Sequence, residues 1–299
     1  MRKVNLLNVS INNMTMLELL EQLRQGGVVF TPNVDHVMKL QVDSEFYDVY
    51  QNADYRVCDS QVLKYVSWFL GTPIQEKISG SDLFPAFYEY YQNDESIKIF
   101  LLGGHTREIA ETARQKINQK LGREMIVESY SPPFGFEKSP AECQRIVAKI
   151  NNSGATVLAL GVGSPKQELW IAKYRHHLVN VKIFFAIGAT INFEAGGVQR
   201  SPKWMSEIGL EWLHRLLMEP RRLWKRYVLS AAPFLWLVVK QKLRLYKNPW
   251  SDVDLALEEL HNYSFPDNLN QNLNRVLTAE LEPLGNQPVR YVTDKINPS

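Results

Sequence analysis

Cysteine is nearly absent from this chain of 299 residues, which has only Cys58 and Cys143. They stand far apart and form no C-x-x-C pair. That excludes a disulfide-built scaffold and a cysteine zinc site, and it favours a reducing compartment. Long apolar runs are also missing. Leu229–Val239, 11 residues interrupted by Pro233, falls well short of the roughly 20 that a spanning helix needs. The opening residues Met1-Arg2-Lys3-Val4-Asn5 lack the apolar core of a secretory signal, so a cytoplasmic protein is expected. No strong excess of one charge exists either: the net charge is +2, and no nucleic-acid partner is expected.

What is present is an apolar content of 45%, enough to bury the core of one large α/β domain or two small ones. The small net charge conceals an uneven distribution. Arg200–Lys247 carries 11 Lys/Arg against 3 Asp/Glu, whereas Asn248–Ser299 carries 3 against 8. Three regions follow: a nearly neutral body over 1–199, a basic helical appendage over 200–247, and an acidic tail over 248–299. The tail is rich in Asn, Asp and Pro, and is expected to be largely disordered.

Within the body, runs suited to buried parallel strands occur at Gly27–Thr31, Tyr55–Asp59, Ile97–Gly103, Glu124–Ser129, Thr156–Gly163 and Val181–Gly188. Helical stretches alternate with them. Thr15-x-x-Glu18, Ser139-x-x-Glu142 and Ser164-x-x-Gln167 match the capping-box pattern, the last two with proline at the first helical position. The alternation predicts a Rossmann-like open α/β sheet with helices on both faces. Ligands of such sheets bind beyond the C-terminal strand ends.

Four loops fall at those ends. Asp59 ends a strand, where its carboxylate either accepts a proton from a sugar hydroxyl or caps the next helix. Thr31 and Asn33 offer a hydroxyl and a carboxamide, suited to sugar hydroxyls or an N-acetyl group, or else to a turn and a helix cap. Gly103-Gly104-His105 and Gly161-Val162-Gly163-Ser164 each join a strand to a helix, where a backbone without side chains can approach a phosphate. Neither makes a dinucleotide fingerprint, and Gly163-Ser164-Pro165 is not a hydrolase elbow. Gln167 is explained as a capping residue, while Lys166 at a helix start suggests a nearby phosphate. Arg215, Arg222 and Arg226 recur at i, i+7 and i+11, within about 40° on one continuous helix, although Pro220 lies between the first two. They form either a solvated basic face or, beside Trp224, Phe234 and Trp236, a helix lying in a membrane interface.

Together these segments resemble the bacterial WecG/TagA/CpsF glycosyltransferases. The likeness runs through Thr31-Pro32-Asn33-Val34-Asp35-His36, Val57-Cys58-Asp59-Ser60, Ile78-Ser79-Gly80-Ser81-Asp82 and Gly161 to Glu168. It continues through Phe193-Glu194-Ala195-Gly196, Arg200-Ser201-Pro202-Lys203-Trp204, Gly209-Leu210-Glu211-Trp212 and Arg215 to Arg222. It covers roughly Val4 to Leu245. The resemblance implies inverting transfer of an N-acetylmannosamine-type sugar from UDP to a polyprenyl-pyrophosphate-linked sugar, with neither metal nor cofactor. It also implies that Asp59 is the base, that Thr31, Asn33 and Gln167 line the pocket, and that Arg215, Arg222 and Arg226 meet the lipid pyrophosphate at the membrane surface. Two positions depart from the family pattern. Ser60 stands where glycine often follows the aspartate, and Lys77 stands where arginine is common, keeping the charge without the bidentate fork.

Two other readings stay open on sequence. Asp252-Val253-Asp254 resembles a metal-holding D-x-D, although acidic residues also suit a helix start in the acidic tail. A nucleotide-binding membrane scaffold without catalysis has the same composition. A homo-oligomer is equally compatible with it.

Overall fold

The expected apolar runs pair into one sheet in the computed structural model, which describes residues 2–197, 205 and 220–251, with 220–230 as helix backbone alone. Every element below lies in the unit Met1–Pro249. It opens with an antiparallel hairpin of β1 (Lys3–Leu6) and β2 (Val9–Asn12). No sequence run announces this hairpin. Its alternation of buried Val4, Leu6, Val9 and Ile11 is only two residues deep on each strand.

Helix α1 (Met16–Gln22) leads into β3 (Gly27–Phe30), followed by α2 (Val34–Lys39), α3 (Ser44–Gln51) and β4 (Tyr55–Arg56). Then come α4 (Gln61–Leu70), α5 (Gly80–Tyr90), β5 (Ile99–Gly103), α6 (Arg107–Leu121) and β6 (Ile126–Tyr130). The chain continues through α7 (Pro140–Asn152), β7 (Val157–Gly161), α8 (Lys166–Tyr174), β8 (Ile183–Ala186) and α9 (Thr190–Ala195). Strands β3 to β8 form one parallel sheet in the order β4-β3-β8-β7-β5-β6. From the neighbours β5 and β7 the chain departs in opposite directions, toward β6 and β8. Such a reversal opens a crevice at the C-terminal strand ends.

Both faces of the sheet are covered, because successive strand side chains point to opposite sides. Val29, Leu101, Val157 and Phe185 pack with residues of α1, α5, α6 and α9. On the other side Phe30 meets Tyr50 of α3 at 5.1 Å between ring centroids. The open α/β architecture therefore stands as the sequence implies.

The caps are less uniform than the capping pattern. Thr15 and Glu18 form the full reciprocal box. Ser139 caps α7 through the Glu142 amide, but the Glu142 carboxylate turns away to the Tyr130 hydroxyl at 2.8 Å. At α8 the pattern fails: the Ser164–Pro165 bond is cis, Pro165 itself takes the cap position, and no side chain caps the helix.

Two polar side chains bind distant segments into this frame. Arg56 is buried, and its guanidinium donates to the carbonyls of Ser10 (2.9 Å), Tyr50 (2.6 Å) and Gln51 (2.9 Å). It thereby joins hairpin, α3 and sheet edge through three backbone carbonyls. The second is Gln241, near the end of α10 (Pro220–Lys242). Its amide accepts from Leu7 N–H and donates to the Asn5 carbonyl, both at 2.9 Å, as a neighbouring peptide would. Phe234 and Val238 bury the inner side of the same helix. Among the described residues, no helix is long and apolar enough to cross a membrane.

Candidate active site

Asp59 is held from both sides by backbone pairing that continues past the formal end of β4. Its N–H donates to the Pro32 carbonyl at 3.0 Å, after Val57 N–H has paired with Phe30 O at 3.0 Å. On the opposite side Ile78 N–H donates to the Cys58 carbonyl at 2.8 Å. Asp59 thus stands between the Thr31-Pro32-Asn33 segment and Lys77-Ile78. Ser60, not Asp59, is the N-cap of α4, its hydroxyl accepting from Leu63 N–H at 3.3 Å. The capping explanation for Asp59 therefore passes to its neighbour. Cys58 is inert beside it, its thiol pushed up to about 12 by burial.

Thr31 is buried against this segment. Asn33 is the N-cap of α2, with Oδ1 accepting from His36 N–H at 3.1 Å. The cap therefore uses the carboxamide oxygen of Asn33. Beneath it His36 Nδ1 lies 2.5 Å from the Tyr50 hydroxyl. Burial, then the charges of Glu168, Asp59 and Asp35, push the Tyr50 phenol well above its ordinary range, so it stays neutral.

Three glycines bring the central strand ends into contact. A Cβ on Gly103 would lie 2.4 Å from the Gly161 carbonyl oxygen, and one on Gly161 would lie 2.6 Å from Gly188 O. Gly103 thus owes its missing side chain to backbone packing, whereas Gly163, at φ +87°, has open space where a Cβ would be. Gly104, at φ +86°, turns the chain into the N-terminus of α6. His105 there shares Asn192 of α9, its N–H at 3.3 Å and Nδ1 at 3.0 Å from Oδ1.

Gln167 does more than the capping pattern implies. Its carbonyl Oε1 accepts from Gly163 N–H (3.3 Å) and Gly188 N–H (3.1 Å), tying the ends of β7 and β8 together. Its Nε2 donates to Glu168 Oε1 at 2.9 Å. Glu168 is fully buried, and its Oε2 and the nearby Ser164 Oγ meet no partner at hydrogen-bond geometry among the described residues. Burial pushes this carboxyl up to about 7, against the pull of Gln167, Ser164 and Lys39. Lys39 spans from Asp35 (2.9 Å) to the Ser164 carbonyl (3.5 Å). Lys166 is paired internally: Nζ reaches Glu137 at 3.2 Å and lies 4.5 Å from the Phe134 ring centroid. Glu137 therefore offsets its position at the helix start, and no phosphate is needed to explain it.

The edge so assembled combines the Asp59 carboxylate with hydroxyl and amide groups and several helix N-termini. Those termini carry positive partial charge and suit an anionic ligand. The sequence model of the glycosyl transferase WecG/TagA/CpsF family matches residues 4–248. The chain belongs to this family. It is a glycosyltransferase. It is also similar to the N-acetylglucosaminyldiphosphoundecaprenol N-acetyl-beta-D-mannosaminyltransferase of Bacillus spizizenii, with 28% identity over 73% of this chain and 80% of that one.

Of the residues singled out in this WecG/TagA/CpsF member, Asp59, Thr31, Asn33 and Lys77 meet at one corner. Gly103, Gly104, Gly163 and Gln167 occupy the middle of the same sheet edge. Arg215, Asp252 and Asp254 lie outside the described residues. Arg222 and Arg226 fall on the helix backbone of α10, their side chains outside the description. Sequence reasoning passed over Glu168 and Asn192, since a buried carboxylate beside a glutamine leaves no periodic mark.

Glu168 carries a testable consequence. Its folded pKa of about 7 lies above the ordinary 4.5 of a glutamate, so the native state binds the extra proton between those values. Stability from the protonated form is complete below about 4.5 and is lost as pH rises through about 7. Urea midpoints of the wild type are expected to fall between pH 5.5 and 8.5. Glu168→Gln should flatten that slope, and an unchanged slope would locate the titration elsewhere.

Proposed function

We propose that this glycosyltransferase moves an N-acetylmannosamine-type sugar from a UDP donor to a polyprenyl-diphosphate-linked N-acetylglucosamine, at the membrane surface and with inversion. The observation carrying this reading is the position of Asp59, pinned between Pro32 and the Cys58–Ile78 pairing. It stands at an edge where several helix N-termini converge. The acceptor hydroxyl attacks the anomeric carbon as its proton passes to the Asp59 carboxylate. The bond from that carbon to the diphosphate oxygen breaks on the opposite face, and UDP departs with the electron pair.

Charge gathering on the departing diphosphate needs donors fixed in advance. The N-termini after Gly104 and Gly163, Lys77, and the cations Arg215, Arg222 and Arg226 supply them in this reading, without a metal. Thr31 and Asn33 bind sugar hydroxyls or the N-acetyl group, and Gln167 holds the two central loops at the spacing the donor requires. Lys77, in place of a forked arginine, meets its anion as a point charge.

Incubation of the full chain with a panel of UDP-sugars and polyprenyl-diphosphate-linked N-acetylglucosamine, read by mass spectrometry, tests the reading. The expected product is a disaccharide on the lipid carrier from UDP-N-acetylmannosamine, formed at the same rate in EDTA. A rate lost in EDTA and restored by manganese would instead favour a metal held by Asp252 and Asp254.

A further inference from the structure

The helix that begins immediately after Asp59 ends in large exposed aromatic side chains. Trp68 is 69% and Phe69 53% exposed at the end of α4, with Tyr65 on the preceding turn. Helix α10 packs beside α4 and shows a matching face. Phe234 and Val238 are buried, while Leu235 and Trp236 (60% exposed) face outward, and the exposed stripe runs on to Leu243. Lys242 joins the two helices, donating to the Phe69 carbonyl at 2.6 Å with Nζ 5.2 Å from the Phe69 ring centroid. Lys240 covers Trp236 at 5.4 Å in the same way.

Exposed tryptophans in such a group are costly in water unless something covers them. The charges around them decide what does. Neither α4 nor α10 contains an aspartate or glutamate, whereas Lys240 and Lys242 lie over the Trp236 and Phe69 rings and α4 adds Lys64 to the positive charge. Trp and Tyr with a lysine fringe suit the boundary between lipid headgroups and acyl chains, and the uniform positive sign suits anionic lipid.

We propose that α4 and α10 form one lipid-facing surface for an anionic bilayer, with Trp68 and Phe69 as the inserting pair beside the site. This rests on the membrane reading of the proposed function and adds to it a part of the catalytic body itself. Trp68 lies seven helical steps beyond Gln61, about 10 Å along the axis of the helix that starts two residues after Asp59.

The test compares the full-length protein with the double variant Trp68→Ser/Phe69→Ser, using sedimentation with phosphatidylcholine vesicles with and without phosphatidylglycerol. The wild type is expected to bind the anionic vesicles, and the variant to lose about tenfold or more of that affinity with an unchanged thermal midpoint. Trp68→Ser alone, expected to lose part of it, serves if the double variant does not fold. Undiminished binding by the variants would overturn the proposal. So would wild-type binding indifferent to phosphatidylglycerol. A fall in solution mass from dimer to monomer on substitution would overturn it too, by showing that a second copy covers the face. Vesicle binding needs no turnover, so it separates this proposal from the transferase reading. If that reading also holds, the variant loses about tenfold in rate on acceptor embedded in vesicles but not on a short-chain, water-soluble acceptor.

Discussion

Asp59→Asn is expected to lower kcat by about 10²- to 10⁴-fold, the usual range for removing a general base. KM should stay near the wild-type value, because the amide keeps the size of the carboxylate and loses only its capacity to take a proton. The isosteric amide also leaves the backbone in place, so the variant is expected to fold. Asp59 contributes its backbone N–H to the Pro32 carbonyl, and the cap of α4 belongs to Ser60. A variant with an unchanged thermal midpoint and transfer within about tenfold of wild type would remove Asp59 from the role. Loss of folding together with activity would show that the carboxylate has a structural duty as well.

Gly103→Ala is expected to produce the largest loss of stability from a single methyl group. The added carbon would lie 2.4 Å from the Gly161 carbonyl oxygen, and that neighbour is backbone inside a parallel sheet, not a side chain that can turn away. The residue also sits at φ +140°, a conformation that L side chains rarely adopt. Overpacking costs about 1–3 kcal/mol and backbone strain a similar amount, so about 3–5 kcal/mol is expected. Against a total of roughly 5–15 kcal/mol, that is a large share of the stability. Chemical denaturation of Gly103→Ala beside Gly163→Ala makes the comparison specific. Gly163 also has positive φ, but a Cβ there meets nothing within 4 Å. It should therefore pay strain alone, and equal losses at the two positions would contradict the packing account.

These two residues show how far a sequence reaches here. Asp59 and Gly103 both stood out as strand-end residues, and their strands lie where the apolar runs indicated. Buried parallel strands read clearly because both faces must be apolar, so each run is continuous. The short hairpin at the N-terminus left no such run, and Arg56, which fastens it, resembles any surface arginine until its three carbonyl partners are known. Position and residue type alone point Gln167 to a helix cap. Its partners lie on β7 and β8, and only the folded sheet brings Gly163 and Gly188 to the same amide.

What the sequence by itself determined is the local and the periodic: an α/β sheet, its strand-end loops, a basic segment after the body, and the motifs that carry family membership. Each depends on residues close together in the chain, where pattern and propensity act directly. The tertiary structure alone decided the strand order β4-β3-β8-β7-β5-β6, and with it which loops share a corner with Asp59. It also decided that Glu168 is buried and that the aromatic end of α4 adjoins α10. These are contacts between segments far apart in sequence. Burial and hydrogen-bond satisfaction select them only when the whole chain packs, and no local pattern encodes them.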